Sequence, residues 1–169
     1  MKTPGFWHRP NWLATLLAPL SLLYLAGAWL DRAFTKPQRA PIPVISIGNV
    51  TAGGAGKTPT TIALVQLLKS MGETPHIVTR GYGGTQATST MVTQDSDWYD
   101  VGDEALLLAA HAPTWVGNDR LLSAKNAAQH GATCVVADDA LQHHALAKDI
   151  SLLVLDGAYG LGNGLTLPA

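Results

Sequence analysis

Residues 44–59 read V-I-S-I-G-N-V-T-A-G-G-A-G-K-T-P, and few folds accommodate such a run. A β-branched stretch (Val44, Ile45, Ile47) passes into glycines at Gly48, Gly53, Gly54 and Gly56, and Lys57 and Thr58 then open an apolar-periodic segment. Strand, glycine loop and helix in that order make a phosphate cradle: glycines let successive N–H groups turn toward one anion, and the helix N-terminus adds partial positive charge. The cradle comprises Thr51, Ala52, Gly53, Gly54, Ala55, Gly56, Lys57 and Thr58. Lys57 is placed to reach the β- and γ-phosphates of a nucleotide, and Thr58 to ligate Mg²⁺. The usual pattern has glycine where this chain has Thr51, so the match is to the variant G-G-x-G-K-T loop. Variant loops often carry a lysine just before the glycine pair, where this chain has Ala52.

Downstream, helical periodicity over residues 60–71 ends at Gly72, and a strand over 76–79 leads straight into Arg80, Gly81, Tyr82, Gly83 and Gly84. A charge followed by glycines at the C-terminal end of a strand is a ligand-facing arrangement in α/β sheets, and an ordinary glycine turn beside a solvated arginine is its competitor. Residues 85–97 are polar and read as a loop or edge hairpin, with Asp95 and Asp97 as solvated charges. Asp103 and Glu104 precede a helical run over 105–111, where Asp103 suits either an N-cap or an acid that takes a hydroxyl proton. A strand at 114–116 and a helix at 119–130 lead to the apolar strand 134–137, which ends in Asp138 and Asp139. Acids at that strand end belong near a metal held by the loop threonine. One more strand, 150–155, ends at Asp156, and the remaining residues are glycine-rich and apolar.

No charged residue lies between Arg9 and Asp31, an interval close to the roughly 30 Å bilayer core at about 1.5 Å per helical residue. Trp7, Trp12 and Trp29 flank it, Pro19 interrupts it, and basic residues on both sides suit a helix lying in one leaflet. A cleaved signal peptide, with Ala26-Gly27-Ala28 as the small-residue site, and a buried core helix are the competing readings. Pro37, Pro41 and Pro43 make a stiff connector, so residues 1–36 are read as a membrane-associated segment and 37–169 as the catalytic domain.

With 169 residues, 47% hydrophobic and 14% charged, the chain suits one well-cored domain. A net charge of −1 without a basic cluster argues against a nucleic-acid partner. The single cysteine, Cys134, sits in an apolar run and excludes a disulfide framework; adjacent His143 and His144 do not have zinc-ligand spacing.

Four motifs in order, G-N-V-T-A-G-G-A-G-K-T-P, T-R-G-Y-G-G, V-G-D-E-A and D-D-A-L-Q-H-H-A-L, behind an apolar segment, resemble the tetraacyldisaccharide 4′-kinases, the lipid A 4′-kinases. The resemblance implies transfer of the ATP γ-phosphate, with Mg²⁺, to the 4′-hydroxyl of an acylated disaccharide 1-phosphate at the cytoplasmic face of the bacterial inner membrane. It implies that Asp103 deprotonates or orients the sugar hydroxyl and that Glu104, Asp138 and Asp139 join Thr58 around Mg²⁺. It further implies that Lys57 serves the phosphate loop, that His143 assists catalysis, and that Arg80, Gly81, Tyr82, Gly83 and Gln142 contact substrate. The family's usual glycine after the acid pair is Ala140 here, and Ala55 stands where some members have a hydroxyl. Family members are also longer, with a further domain and a histidine that assists the catalytic Asp, so this chain is expected to be an N-terminal fragment with little activity alone.

The expected fold is an α/β phosphate-loop domain, a mostly parallel sheet with helices on both faces, behind an apolar membrane-associated helix. Two other functions remain open: a membrane-anchored variant-loop ATPase or switch, and an interaction module retaining an inactive nucleotide fold.

Overall fold

The computed structural model describes residues 34–49, 56–81, 83–85 and 88–157, together with positions 25, 27, 29 and 30. Six strands form one sheet: β1 (Val44–Gly48), β2 (Pro75–Thr79), β3 (Thr90–Met91), β4 (Thr114–Val116), β5 (Cys134–Ala137) and β6 (Ile150–Leu153). Their spatial order is β3-β4-β2-β5-β1-β6. Every pairing is parallel except β3 on β4, a two-residue antiparallel edge. β1, β2, β4 and β5 are buried at every position, which is why they read as continuous apolar runs rather than as alternating ones.

Four helices connect them: α1 (Lys57–Ser70), α2 (Trp98–Val101), α3 (Asp103–Ala109) and α4 (Arg120–Gln129). Strand alternation sorts the core into two layers. On one face Ile47, Ile77 and Val136 meet Val65 of α1 and Leu108 of α3. On the other, Val44, Val78, Trp115 and Val135 meet Leu121, Ala124 and Ala127 of α4. The handedness is uniform. The β1-to-β2 and β2-to-β4 connections run toward the β3 edge and carry α1 and α3 on the first face, whereas β4-to-β5 runs the other way and carries α4 on the second. This is the right-handed crossover rule applied in both directions.

Helix ends follow local chemistry. Pro59 lies in the first turn of α1, where N–H groups have no helical acceptor. Asp119 caps α4 by accepting the Leu122 N–H at 3.0 Å. Asp97, expected to be merely solvated, caps α2 by accepting the Tyr99 N–H at 2.9 Å. The proline connector lies along the domain, since Gln38 bridges Leu146 and the Val44 N–H donates to Asp149 Oδ2 at 2.9 Å. The expected apolar N-terminal helix falls largely outside the described residues. Leu25, Gly27, Trp29 and Leu30 are helical and exposed, and among the described residues no helix is long and apolar enough to cross a membrane.

Two glycines with similar backbone but different surroundings separate strain from crowding. Gly131 after α4 has φ +86° with open space around its missing Cβ, whereas Gly81 has φ +70° and a Cβ there would stand 2.3 Å from Val116 Cγ1 and 2.7 Å from the Val101 carbonyl. Gly131→Ala is expected to cost about 1 kcal/mol from the left-handed backbone alone, and Gly81→Ala roughly 2–4 kcal/mol because overpacking adds to it. Urea unfolding of the two variants measures that difference.

Candidate active site

The parallel strands deliver their C-terminal ends to one side of the sheet, where Asn49, Arg80 and Asp138 follow β1, β2 and β5. The N-termini of α1 and α3 open toward the same side, the usual ligand crevice of such sheets. Lys57, the first residue of α1, donates through Nζ to Asn49 Oδ1 at 3.0 Å and to Asp139 Oδ1 at 2.9 Å. Asp139 takes a left-handed conformation, φ 50°, rare for a non-glycine residue and best tolerated by Asp and Asn. Arg120 Nη2 holds that turn by donating to the Asp139 carbonyl at 2.8 Å. Ala140 is fully buried and its N–H donates to the Ile47 carbonyl at 3.2 Å. The turn's unusual backbone is therefore carried by Asp139, one residue earlier.

Asp138 is 1% exposed, and its carboxylate accepts the Thr61 hydroxyl at 2.8 Å. Burial pushes its pKa up to about 6; the Thr61 bond and Lys57 oppose the shift, and neighbouring Glu104 and Asp139 add to it. Thr58 Oγ1 donates to Glu104 Oε1 in a short hydrogen bond that joins the N-termini of α1 and α3. Asp103 is exposed, and its Oδ1 accepts the Glu104 N–H at 2.9 Å. Gly102 holds the N-cap position, so Asp103 is the first helical residue and not the cap.

Direct bonds therefore join Lys57 to Asp139, Thr58 to Glu104 and Thr61 to Asp138, with Asp103 beside Glu104. His143 is half-buried, and its Nδ1 has no hydrogen-bond partner. Burial, then the charges of Arg120 and Lys148, lower its pKa, so the imidazole is neutral at neutral pH. Gln142, Arg80 and Gly83 are exposed, and Gly81 is buried against Val101 and Val116. Thr51, Ala52, Gly53, Gly54, Ala55 and Tyr82 lie outside the described residues, while Gly56 occupies the N-cap position of α1. Among the described residues no three His, Cys, Asp or Glu side chains converge tightly enough to enclose a metal alone.

Three residues of this cluster escaped the motif reading. Asn49 lies within the first motif as an unremarked letter, and Thr61 stands one helical turn beyond Thr58. Arg120, 7% exposed, follows a helix cap, where an arginine ordinarily reads as solvated.

Comparison with known proteins decides the relationship. Residues 13–169 match the family model for tetraacyldisaccharide-1-P 4′-kinase, LpxK. The chain belongs to the tetraacyldisaccharide 4′-kinase family. It is similar to the tetraacyldisaccharide 4′-kinases of Jannaschia sp. (51% identical) and Paramagnetospirillum magneticum (47% identical), each match covering 100% of this chain. The crystal structure of LpxK from Aquifex aeolicus in complex with ATP is similar in fold, with a TM-score of 0.72 and 30% identity over 83% of this chain and 48% of that one. The chain spans about half the length, 52%, of those two curated 4′-kinases. The family resemblance carried by the four motifs is thus borne out.

A carboxyl group whose pKa is raised on folding stabilises the fold below its unfolded value of 3.8, and that contribution is lost as pH rises through about 6. Asp138→Asn keeps an acceptor for Thr61 without the charge. It is expected to be more stable than the parent by about 1–3 kcal/mol at pH 7.5, the difference closing toward pH 4. Chemical denaturation at a series of pH values, without nucleotide, checks the sign.

Proposed function

We propose that this chain supplies the nucleotide-phosphate side of a lipid-sugar kinase. In the full-length protein the reaction is ATP-dependent phosphorylation of the 4′-hydroxyl of a tetraacylated glucosamine disaccharide 1-phosphate. The observation that carries this reading is the meeting of Lys57 and Thr58, at the start of α1, with Asp139 and Glu104. Family membership and the ATP named for the Aquifex aeolicus structure supply the nucleotide and acceptor classes.

Lys57 exchanges its bond to Asp139 for the β- and γ-phosphates, so the ammonium is held in place by Asn49 before nucleotide arrives. The N-terminus of α1 adds positive partial charge where phosphate charge collects. Asp103 draws the proton from the 4′-hydroxyl as the new O–P bond forms, the bond from Pγ to the β,γ-bridging oxygen breaks, and ADP leaves. Neutral His143 sits among Arg120 and Lys148, a basic neighbourhood on the approach of an anionic substrate.

The donor set fits Mg²⁺, which takes hard oxygen ligands and needs only one or two protein carboxylates beside phosphate oxygens and water. Thr58, Glu104, Asp138 and Asp139 would hold it. Bound there, the ion would neutralise charge on the transferred phosphoryl group. Residues 1–36 associate with the cytoplasmic face of the inner membrane, which sets the site at the height of an acylated substrate's headgroup.

The test measures transfer of ³²P from γ-labelled ATP to the disaccharide 1-phosphate in detergent micelles. It uses this chain and a fusion that appends the part of the Jannaschia sp. kinase that this chain does not cover. Transfer by the fusion, and its fall by about a thousandfold or more in Lys57→Ala with the fold intact, is the expected result. ATP hydrolysis without transfer would instead favour a variant-loop ATPase, and absence of Mg–ATP binding an inactive module.

A further inference from the structure

The chain from β5 to β6, residues 138–149, crosses β1 on the α4 face without forming a helix. Parallel strands are usually joined through a helix, which satisfies its own backbone groups; a crossover without one must find its partners elsewhere. At its near end the partner is β1. The Ala140 N–H donates to the Ile47 carbonyl at 3.2 Å, and Leu141 lies so close over the strand that a Cβ on Gly48 would stand 2.5 Å from its own.

At its far end the partner is the proline connector. The Gln38 N–H donates to the Ala145 carbonyl and the Ala147 N–H to the Gln38 carbonyl, both at 2.9 Å. Leu146, between them, is 1% exposed and shares a core layer with Ala40 and Ile42. Asp149 closes the joint: its Oδ2 accepts the Val44 N–H, and its own N–H donates to the Val44 carbonyl, each at 2.9 Å. Gln142 and His143 lie between these two anchorages. The bonds from the His143 N–H to the Ala140 carbonyl at 3.1 Å and from Lys148 Nζ to the Leu141 carbonyl at 2.7 Å stay within the crossover, so they shape it without tying it to the sheet.

We infer that residues 38–43 are a strap that positions Gln142 and His143 for the acceptor, so that the connector is part of the site rather than a spacer between segments. On the nucleotide side Lys57 and Asp139 are held instead through Asn49 and Arg120, so releasing the strap loosens the acceptor side selectively. The strap itself stands on backbone geometry; its effect on the acceptor rests on the phosphoryl-transfer reading.

Hydrogen–deuterium exchange of a peptide spanning residues 140–147 in this chain reads the strap directly. Gln38→Pro removes the donor to Ala145, and exchange is expected to quicken about tenfold while peptides from β2 and β4 stay protected and report an intact domain. Asp149→Ala gives the same change, and Asp149→Asn, which keeps an acceptor for the Val44 N–H, restores slow exchange. In the fusion with the part of the Jannaschia sp. kinase that this chain does not cover, Gln38→Pro is expected to raise KM for the disaccharide 1-phosphate about tenfold, with KM for ATP unchanged. A merely structural loss would lower the apparent kcat and leave both KM values alone. Unchanged exchange in Gln38→Pro and Asp149→Ala overturns the inference, as does an acceptor KM equal to the parent's. A parent fusion that transfers no phosphate overturns the kinase reading instead, and the exchange of the two variants then decides the strap.

Discussion

Asp139 is gripped from both layers of the molecule at once, and the geometry of the site depends on that grip. Its carboxylate receives Lys57 from α1 on one face of the sheet, and its carbonyl receives Arg120 from α4 on the other. The ion pair itself adds little stability, because the Asp139 side chain is 61% exposed and solvent screens it. Its consequence is positional. A left-handed non-glycine turn costs of order 1–2 kcal/mol and persists only where its surroundings over-determine it. Two cationic side chains from opposite layers do so here, and between them they aim the acid pair across the mouth of the crevice.

The second member of the pair shows the opposite trade. Asp138 is buried against a single neutral hydroxyl, with two further carboxylates adding to its electrostatic cost. No structural economy favours such a group, since a buried carboxyl without a full set of donors destabilises the fold that holds it. Thr61, donating at 2.8 Å, fixes the direction in which the carboxylate points. Lys57 and Thr58 stand at the adjoining helix start, so the site's polarity is set before any ligand enters: a donor and a cation on α1, acids on β5 and α3.

What was legible in the sequence divides along the same physical line. The strand before the glycine run of residues 44–59 and the helix after it were readable because the backbone requirements of a phosphate cradle dictate residue type. The acids ending β5 were readable because charge at the end of an apolar strand has few structural uses. Asp103 could not be separated from an N-cap by spacing alone, and the structure removes the cap reading by placing Gly102 at that position. Asp97 was misjudged for the complementary reason: the four-residue α2 that it caps is too short to leave a periodic signal. Thr61 and Arg120 were invisible because their roles are tertiary. Nothing local tells a buried-face threonine that it will meet a carboxylate 77 positions away, or an arginine that its guanidinium will turn inward to a carbonyl.

Crossover handedness connects the site to the rest of the sheet. Running toward the β3 edge, the chain must place α1 and α3 on one face, which is why the two helix starts that carry Lys57, Thr58, Asp103 and Glu104 stand side by side and share the Thr58–Glu104 bond. Running back, it must place α4 on the other face, the only layer from which Arg120 can approach the Asp139 carbonyl from behind. Had either connection been left-handed, the same sequence motifs would have delivered their charges to opposite sides of the sheet. The motifs therefore specify chemistry only in combination with a topology that no single motif contains, and the order in which they occur along the chain carries as much of the function as the residues themselves.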